Sequence, residues 1–240
     1  VYKRQTYCFE DNWPWLGDYD MNDVVVGYST TFTVDKDNRI VAIRDVVTPL
    51  HSGGKLRSAF GYQLDIPVTA VKGVKIENGS STAGLEKNQD KAVVILFDDI
   101  EQAVARGPVS VEIELDGSLS MDKVTRKSLY NPFICVSDKG FVPGAVRKEI
   151  HLTNYPPTSL ADPYPFGRND DKSSLDKAGN PIGPYYYATS ELYPFAIDLP
   201  VTDHRIPDEM VKIDVFYPDF AGWVKSRGEK HKEWYKNSVK

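Results

Sequence analysis

The sequence is poor in three features that each mark a class of protein. It has two cysteines among 240 residues, Cys8 and Cys135, which are interpreted as two buried free thiols or as one disulfide. It has no apolar run near the roughly 20 residues needed to span a bilayer. It also lacks an excess of positive charge, because 29 Lys and Arg face 34 Asp and Glu, a net charge of −5. Nucleic acid is therefore not an expected partner.

The chain begins at Val1 and shows no export signal of a charged segment followed by an apolar one. We therefore expect either a trimmed export segment or an excised part of a longer protein. No linker-like run of Ser, Gly or Pro and no repeat period divides the sequence. With 41% hydrophobic and 26% charged residues, the composition is globular, and we predict one domain over residues 1–240.

Short apolar segments that alternate at period two dominate the chain and predict β-strands. The clearest is Val24–Val34, which is rich in β-branched and aromatic residues. Further strands are predicted at 39–47, 55–66, 73–77, 92–97, 109–115, 132–136, 148–152, 195–199 and 211–217. Helices are predicted at 100–105 and in the tail, where Phe220, Trp223, Val224 and Trp234 fall near helical spacing. The pattern predicts an all-β fold, a jelly-roll-like antiparallel β-sandwich with long irregular loops and one or two short helices near the C-terminus.

A crowded acidic loop near the start of the chain is the strongest chemical signal. It contains a D-x-D-x-N pattern and three further carboxylates, and its candidate ligands are Glu10, Asp11, Asp18, Asp20, Asn22 and Asp23. Calcium takes six to eight oxygen ligands, which such a loop supplies. It is not an EF-hand, because Asp23 replaces the glycine of position six and Ser29 the glutamate of position twelve. The alternative is a solvated turn in which Asp18 or Asn22 caps backbone amides.

A second group of acidic residues lies in a proline-rich segment at about 154–187, which we expect to be an irregular excursion. Asp170 and Asp171 are its candidate ligands, with Asp162 and Asp176 nearby; the alternative is a polar loop partnered by Arg168 and Lys172. Trp13, Trp15 and Tyr186, within Tyr185–Tyr187, are candidates for stacking on a sugar ring. The alternative is that these aromatic residues pack inside the protein or cover the metal loop.

The His51–Lys55 segment is not a phosphate-binding loop, because the first glycine of that motif is missing and Leu56 replaces its Ser or Thr. We interpret Gly53 and Gly54 as a turn that uses positive φ. No G-x-S-x-G or H-E-x-x-H motif is present, so acyl transfer and a catalytic zinc are disfavoured. Acidic residues are plentiful, which leaves a carbohydrate hydrolase as an alternative function.

The acidic loop carries a family resemblance. Phe9–Asp11, Trp13–Pro14 and Gly17–Val26 resemble the F-E-D-x-W-P…G-D-Y-D-x-N-D-x-V-V motif of LruC-type domains. These occur in exported lipoproteins of Bacteroidetes and related bacteria. The similarity continues through segments 51–64, 149–158, 166–171 and 223–235. The resemblance implies an extracytoplasmic domain at the cell surface or in the periplasm, attached to the membrane through a preceding N-terminal lipid anchor, and it strengthens the expectation of calcium.

Together these features predict a non-enzymatic surface domain that is stabilised by calcium and acts in glycan or protein binding or adhesion. A carbohydrate hydrolase using the acidic loop carboxylates is the main alternative. A purely structural or assembly domain is the third.

Overall fold

A computed structural model describes residues 4–239, so the two ends of the predicted domain, 1–3 and 240, lie outside the described residues. The described chain forms mostly β-strands: β1 Gln5–Phe9, β2 Val24–Val34, β3 Ile40–His51, β4 Arg57–Pro67, β5 Val71–Glu77, β6 Gly84–Leu85, β7 Lys91–Phe97, β8 Val109–Leu115, β9 Tyr130–Ser137, β10 Lys148–His151 and β11 Ala196–Leu199. The α-helices are short: α1 Ile100–Arg106, α2 Arg126–Leu129, α3 Ile213–Phe216 and α4 Phe220–Lys225.

The strands form two antiparallel sheets, which confirms the predicted β-sandwich class. One sheet has the order β11-β1-β2-β3-β8-β5, and the other has the order β10-β9-β4-β7-β6. Their facing sides share one large core that includes Val26 and Ile43 from the first sheet and Phe60 and Ile134 from the second. Every second side chain along these strands therefore points into the shared core.

The outer face of the first sheet is also covered, which period two alone does not reveal. Val25 points away from the shared core and packs with Cys8 and Ile197 against the C-terminal helical segment, including Phe220 and Trp234. Both faces of β2 are therefore buried at its start. The acidic loop lies against this second apolar cluster.

A buried polar group bridges the two sheets. Asp45 on β3 is 2% exposed, and it accepts hydrogen bonds from Tyr62 Oη at 2.7 Å and Tyr130 Oη at 2.9 Å on the second sheet. The Arg126 guanidinium lies 3.8 Å from the ring centre of Tyr28 and 3.9 Å from that of Tyr130. Each member has partners, so we interpret this group as a structural network.

One sequence prediction about secondary structure is wrong, and one strand was missed. Residues 211–217 contain the helix α3 rather than a strand, because their apolar side chains pack on one side into the C-terminal cluster instead of alternating between two faces. The strand β1 was not predicted, although its pairing with β2 closes the acidic loop. The excursion at 154–187 contains isolated bridges rather than named elements. Cys8 and Cys135 are buried free thiols.

Candidate metal centre

The acidic loop, residues 10–23, connects two paired strands. β1 and β2 are antiparallel, and Phe9 lies opposite Val24 in their register. The residues that flank the loop, Glu10 and Asp23, are therefore brought close together by backbone pairing, although thirteen positions separate them. Both are buried, with Glu10 0% and Asp23 5% exposed.

Left-handed backbone at alternate positions directs the remaining ligand candidates to one side. Tyr19 and Met21 have φ values of 56° and 58°, which is uncommon for residues other than glycine. Their side chains are buried in the C-terminal cluster. In the D-x-D-x-N pattern, the two x positions are therefore apolar side chains anchored in the C-terminal cluster. The D and N positions that alternate with them carry the polar side chains.

Three carboxylates of this loop converge. One oxygen from each of Glu10, Asp18 and Asp20 lies within 4.8 Å of the other two. Glu10 Oε1 accepts the Met21 amide at 2.5 Å, and Asp20 Oδ2 accepts the Met210 amide at 3.0 Å. Glu10 Oε2 and Asp18 Oδ1 are buried, and neither has a hydrogen-bond partner among residues 4–239. Buried acceptors without a donor are costly, so two oxygens of the group require a partner that the described chain does not supply.

The electrostatics of this group resist full ionisation in the absence of a cation. Burial raises the pKa of Glu10 well above its ordinary value, and the neighbouring charge of Asp23 raises it further. Burial also raises the pKa of Asp20 to about 6, with a smaller contribution from Asp18. A bound divalent cation would reverse this situation, because opposite charge favours the ionised carboxylate.

Asp11 and Asp23 form an adjoining pair beside the Lys148 ammonium, and Asp11 Oδ2 is another buried oxygen with no hydrogen-bond partner among residues 4–239. The Asp11 amide donates to Asp23 Oδ2 at 2.8 Å, and burial together with the charge of Asp11 raises the pKa of Asp23 to about 8. The Lys148 ammonium donates to the carbonyl oxygens of Asp11 and Trp13 at 2.8 and 3.0 Å, and its charge lowers the pKa of Asp11 against the larger effect of burial. Lys148 was not predicted from the sequence, because it comes from β10, far along the chain.

Two glycines allow the opposite wall to approach these carboxylates. A Cβ on Gly54 would lie 2.3 Å from Asp11 Oδ2 and 2.8 Å from Asp23 Oδ1, and a Cβ on Gly53 would lie 2.0 Å from Asn22 Oδ1. Neither glycine has positive φ. The interpretation of Gly53 and Gly54 as a positive-φ turn is therefore wrong: their role is close approach.

Asn22 is completely buried and partly satisfied. Its Nδ2 donates to the Pro207 carbonyl at 3.2 Å, while its Oδ1 has no hydrogen-bond partner among the described residues. The six predicted ligands are thus brought into one region, but they divide into groups. Glu10, Asp18 and Asp20 converge on one point, whereas Asp11, Asp23 and Asn22 line the wall that faces Gly53 and Gly54.

The donor set suits a hard cation. It consists of carboxylate oxygens, without imidazole or thiolate, which favours Ca²⁺, Mg²⁺ or Mn²⁺ over zinc or copper. Three carboxylates converging inside 4.8 Å supply part of the six to eight oxygens that Ca²⁺ needs, and backbone carbonyls and water would have to complete the shell.

The loop also holds several irregular segments together. Asp170 Oδ2 accepts the Leu16 amide at 2.9 Å, and Tyr19 Oη donates to the Pro194 carbonyl at 2.7 Å. The Ile213 amide donates to the Tyr19 carbonyl at 2.8 Å. A cation bound here would therefore stabilise contacts with the excursion, with the C-terminal helices and with the 188–194 hairpin, which the pairing of Ala188 with Pro194 closes.

The second acidic group does not converge with the first. Asp171 is completely buried, and its carboxylate accepts the amides of Gly167 and Ser173 at 2.7 and 3.1 Å. Asp162 and Asp176 accept amides within their own turns. In the described structure these residues accept backbone amides, whereas Arg168 and Lys172 donate to the carbonyls of Tyr164 and Asn169.

The three candidate stacking residues occupy different environments. Trp13 is 0% exposed, and its ring packs edge-on against Phe166 with the ring centres 4.8 Å apart. It belongs to the core and is closed to a sugar ring. Trp15 is 58% exposed and Tyr186 is half-buried, so both remain reachable.

Comparison with known proteins gives the chain a family. The profile of a domain of unknown function, DUF4842, matches residues 38–235. The chain belongs to the DUF4842 family. The acidic loop precedes the matched residues, whereas Gly53, Gly54 and Lys148 lie inside them. This places the chain in a family of unknown function, as expected, and the LruC-type assignment stays a prediction.

The fold of this DUF4842 protein is similar to that of a solved structure. The structure is of a protein from Bacteroides ovatus that is provisionally described as a lipoprotein. The TM-score is 0.67 at 19% sequence identity, with 99% of this chain and 74% of that chain covered. At this identity the likeness shows the fold alone. No curated protein matches the sequence.

No helix within residues 4–239 is long and apolar enough to cross a membrane.

Proposed function

We propose that this DUF4842 protein is an extracytoplasmic, non-enzymatic domain of a bacterial lipoprotein whose acidic loop is fastened by calcium. The main observation in favour of a metal ion is the convergence of Glu10, Asp18 and Asp20. One buried oxygen of Glu10 and one of Asp18 have no hydrogen-bond donor among residues 4–239. In this proposal Asp11, Asp23 and Asn22 form the supporting wall.

Calcium would contribute folding free energy here rather than chemistry. An ion that binds only the folded loop stabilises the fold by mass action. The loop contacts the excursion, the 188–194 hairpin and α3, so stabilisation would extend to two irregular segments and to a short helix. Such a device suits a domain that works outside the cell, where calcium is abundant.

The extracytoplasmic location is supported by two observations. The sequence resembles LruC-type domains of exported lipoproteins, and the similar Bacteroides ovatus protein is itself described in lipoprotein terms. On this basis we propose lipid anchoring at the cell surface or in the periplasm, and a role in glycan or protein binding or adhesion.

The geometry favours cation binding over glycoside hydrolysis by the same carboxylates. A glycosidase needs its two carboxyl groups on either side of a bound sugar, at least about 5 Å apart. Here Glu10 and Asp20 are 0% and 1% exposed, and their oxygens converge on a point too small for a sugar ring.

Direct calcium binding tests the proposal. The purified domain is stripped with EDTA, checked by elemental analysis, and titrated with Ca²⁺ and with Mg²⁺ by calorimetry. We expect one tightly bound Ca²⁺ per chain, with Mg²⁺ bound more weakly. Asp18→Asn removes one converging charge and should weaken binding at least about tenfold. Asp138→Asn, a charge-matched change at an exposed position, should not.

A stripped, folded protein that takes up no calcium at millimolar concentration would overturn the proposal. Equal weakening by Asp18→Asn and Asp138→Asn would also contradict it, because the effect would then reflect net charge rather than this site.

A further inference from the structure

A groove of about 250 Å³ lies between the excursion, the 188–194 hairpin and α4. We call it the Trp223 groove. Leu192, Pro194 and Val224 contribute apolar lining, together with the rings of Tyr185 and Trp223. Tyr185 is 46% exposed and Trp223 is half-buried, so aromatic surface is available to a ligand. The groove is separate from the acidic loop.

The lining of this groove also includes a cation. Among the described residues that line the groove, Arg227 is the one that carries a charge. Its side chain is exposed, and its guanidinium forms no ion pair, hydrogen bond or ring contact within residues 4–239. A guanidinium offers two parallel N–H groups that match a carboxylate. The groove therefore presents an unpaired anion partner beside an apolar, aromatic surface.

The backbone of the groove is held in uncommon conformations. Arg227 has φ 53° just after α4, with its amide donating to the Val224 carbonyl at 2.9 Å. Glycine is the usual residue at this left-handed position after a helix. Asn154 and Leu192, which also line the groove, have φ values of 68° and 69°. Strained residues that the surrounding structure holds in place are concentrated at ligand sites.

A second, polar groove adjoins the first. The 188–194 hairpin is closed by the pairing of Ala188 with Pro194. These two residues and Leu192 line the Trp223 groove, whereas Thr189, Ser190 and Tyr193 of the same hairpin line a groove of about 470 Å³. The other residues that line it are Leu16, Gly17 and Tyr19 of the acidic loop, together with Asn169, Asp170, Lys172, Glu191, Lys212 and Asp214. Hydroxyl, ammonium and carboxylate groups are suitable partners for sugar hydroxyls.

These observations select one class of ligand. The ligand needs an apolar face for Trp223 and Tyr185 and one anionic group for Arg227. Its continuation past the hairpin needs many hydroxyls. A sugar acid in a glycan has all three: the C–H face of its ring packs on aromatic side chains, and its carboxylate pairs with guanidinium. A peptide carboxyl terminus explains the first groove but not the polar one.

We propose that the Trp223 groove binds an acidic sugar residue of a glycan, with its ring on Trp223 and Tyr185 and its carboxylate on Arg227. This deepens the proposed binding role, and the residues that would hold the acidic sugar lie outside the acidic loop.

Calorimetry with a hexuronic-acid tetrasaccharide, a neutral glucose tetrasaccharide and a short peptide ending in Phe tests the proposal. We expect the uronic-acid probe to bind at least tenfold more tightly than either of the others and to change tryptophan fluorescence. Arg227→Gln should weaken its binding at least tenfold, and Arg227→Lys should lose part of it. Lys225→Gln, which removes the same charge from the exposed side of α4, should leave binding unchanged.

Arg227→Gly separates binding from folding, because glycine relieves the left-handed position. We expect this variant to lose uronic-acid binding with an unchanged or higher melting temperature. Equal affinity for the neutral tetrasaccharide, tighter binding of the peptide, or no binding of the folded protein at millimolar probe would each overturn the proposal.

Asp18→Asn distinguishes this proposal from the metal proposal. Well below its melting temperature, the variant should lose calcium affinity and keep uronic-acid binding. A wild-type protein that binds the uronic-acid probe but takes up no calcium would overturn the metal centre alone. A wild-type protein that binds calcium but not the uronic-acid probe would overturn the Trp223 groove alone.

Discussion

At the scale of single residues, the protein contains buried polar atoms of two kinds. Asp45 is enclosed by donors on all sides, as a buried carboxylate normally is. Glu10 and Asp18 each present a buried oxygen with no donor in the described chain. The contrast supports a cation at the second group, because the same fold shows that it can satisfy a buried carboxylate where no ion is needed.

His204 gives a pH prediction that does not involve the metal centre. Its Nε2 lies 3.6 Å from Cys8 Sγ, and burial lowers its pKa to about 4. The folded state therefore keeps His204 neutral, while the unfolded state, with an ordinary pKa near 6.5, takes up a proton as pH falls. Stability is fully present above pH 6.5, and up to about 3 kcal/mol of it is lost as pH falls towards 4.

Urea unfolding at several pH values in calcium buffer checks this prediction. The non-titrating variant His204→Gln should lose less stability than the wild type between pH 6.5 and 4. Comparing the two proteins removes the contribution of carboxylates that titrate in the same range. If the free energy of unfolding of the two proteins fell in parallel with pH, His204 would not be the cause of the lost stability.

At the scale of elements, the pairing of β1 with β2 builds the candidate metal centre. It brings Glu10 beside Asp23, and the turn before β4 then presses Gly53 and Gly54 against the carboxylates. The space between these elements is too small for a methyl group at Gly54.

Gly54→Ala is therefore expected to destabilise the protein by at least about 2 kcal/mol, because the new Cβ would collide with Asp11 and Asp23. Gly73→Ala is the matched control, since a Cβ at Gly73, on β5, meets nothing within 4 Å, and its effect should stay within about 0.5 kcal/mol. Equal free energies of unfolding for the two variants would contradict the close approach.

Local patterns account for most elements that the sequence predicted. β2 and β8 have their predicted bounds because period-two alternation and turn residues are local signals. Residues 211–217 were predicted wrongly because packing in the C-terminal cluster decides their helical conformation. Lys148 and Gly54 could not be assigned to the site, because their roles depend on contacts with segments that are distant in sequence.

The candidate metal ligands could be predicted in part from the sequence. Asp18 and Asp20 stood out because metal sites of this kind concentrate oxygens within a few residues. The sequence could not divide the six residues into a converging group and a wall, since that division depends on which side chains the fold brings together in space. It also could not show that Trp13 is enclosed by Phe166.

At the scale of the whole molecule, the loop links parts that have little regular structure of their own. The excursion, the 188–194 hairpin and the C-terminal helices all contact residues 10–23. Stabilising this loop should therefore raise the melting temperature of the whole domain.

The most direct test of the metal centre is a calorimetric melt of wild type and Asp18→Asn in EDTA and in millimolar calcium. We predict that calcium raises the wild-type melting temperature by several degrees and that magnesium raises it less. We also predict that Asp18→Asn is more stable than the wild type in EDTA, because it removes repulsion, and gains little from calcium. An EDTA-stripped wild type with no calcium response, or a variant equally destabilised in both buffers, would contradict the account.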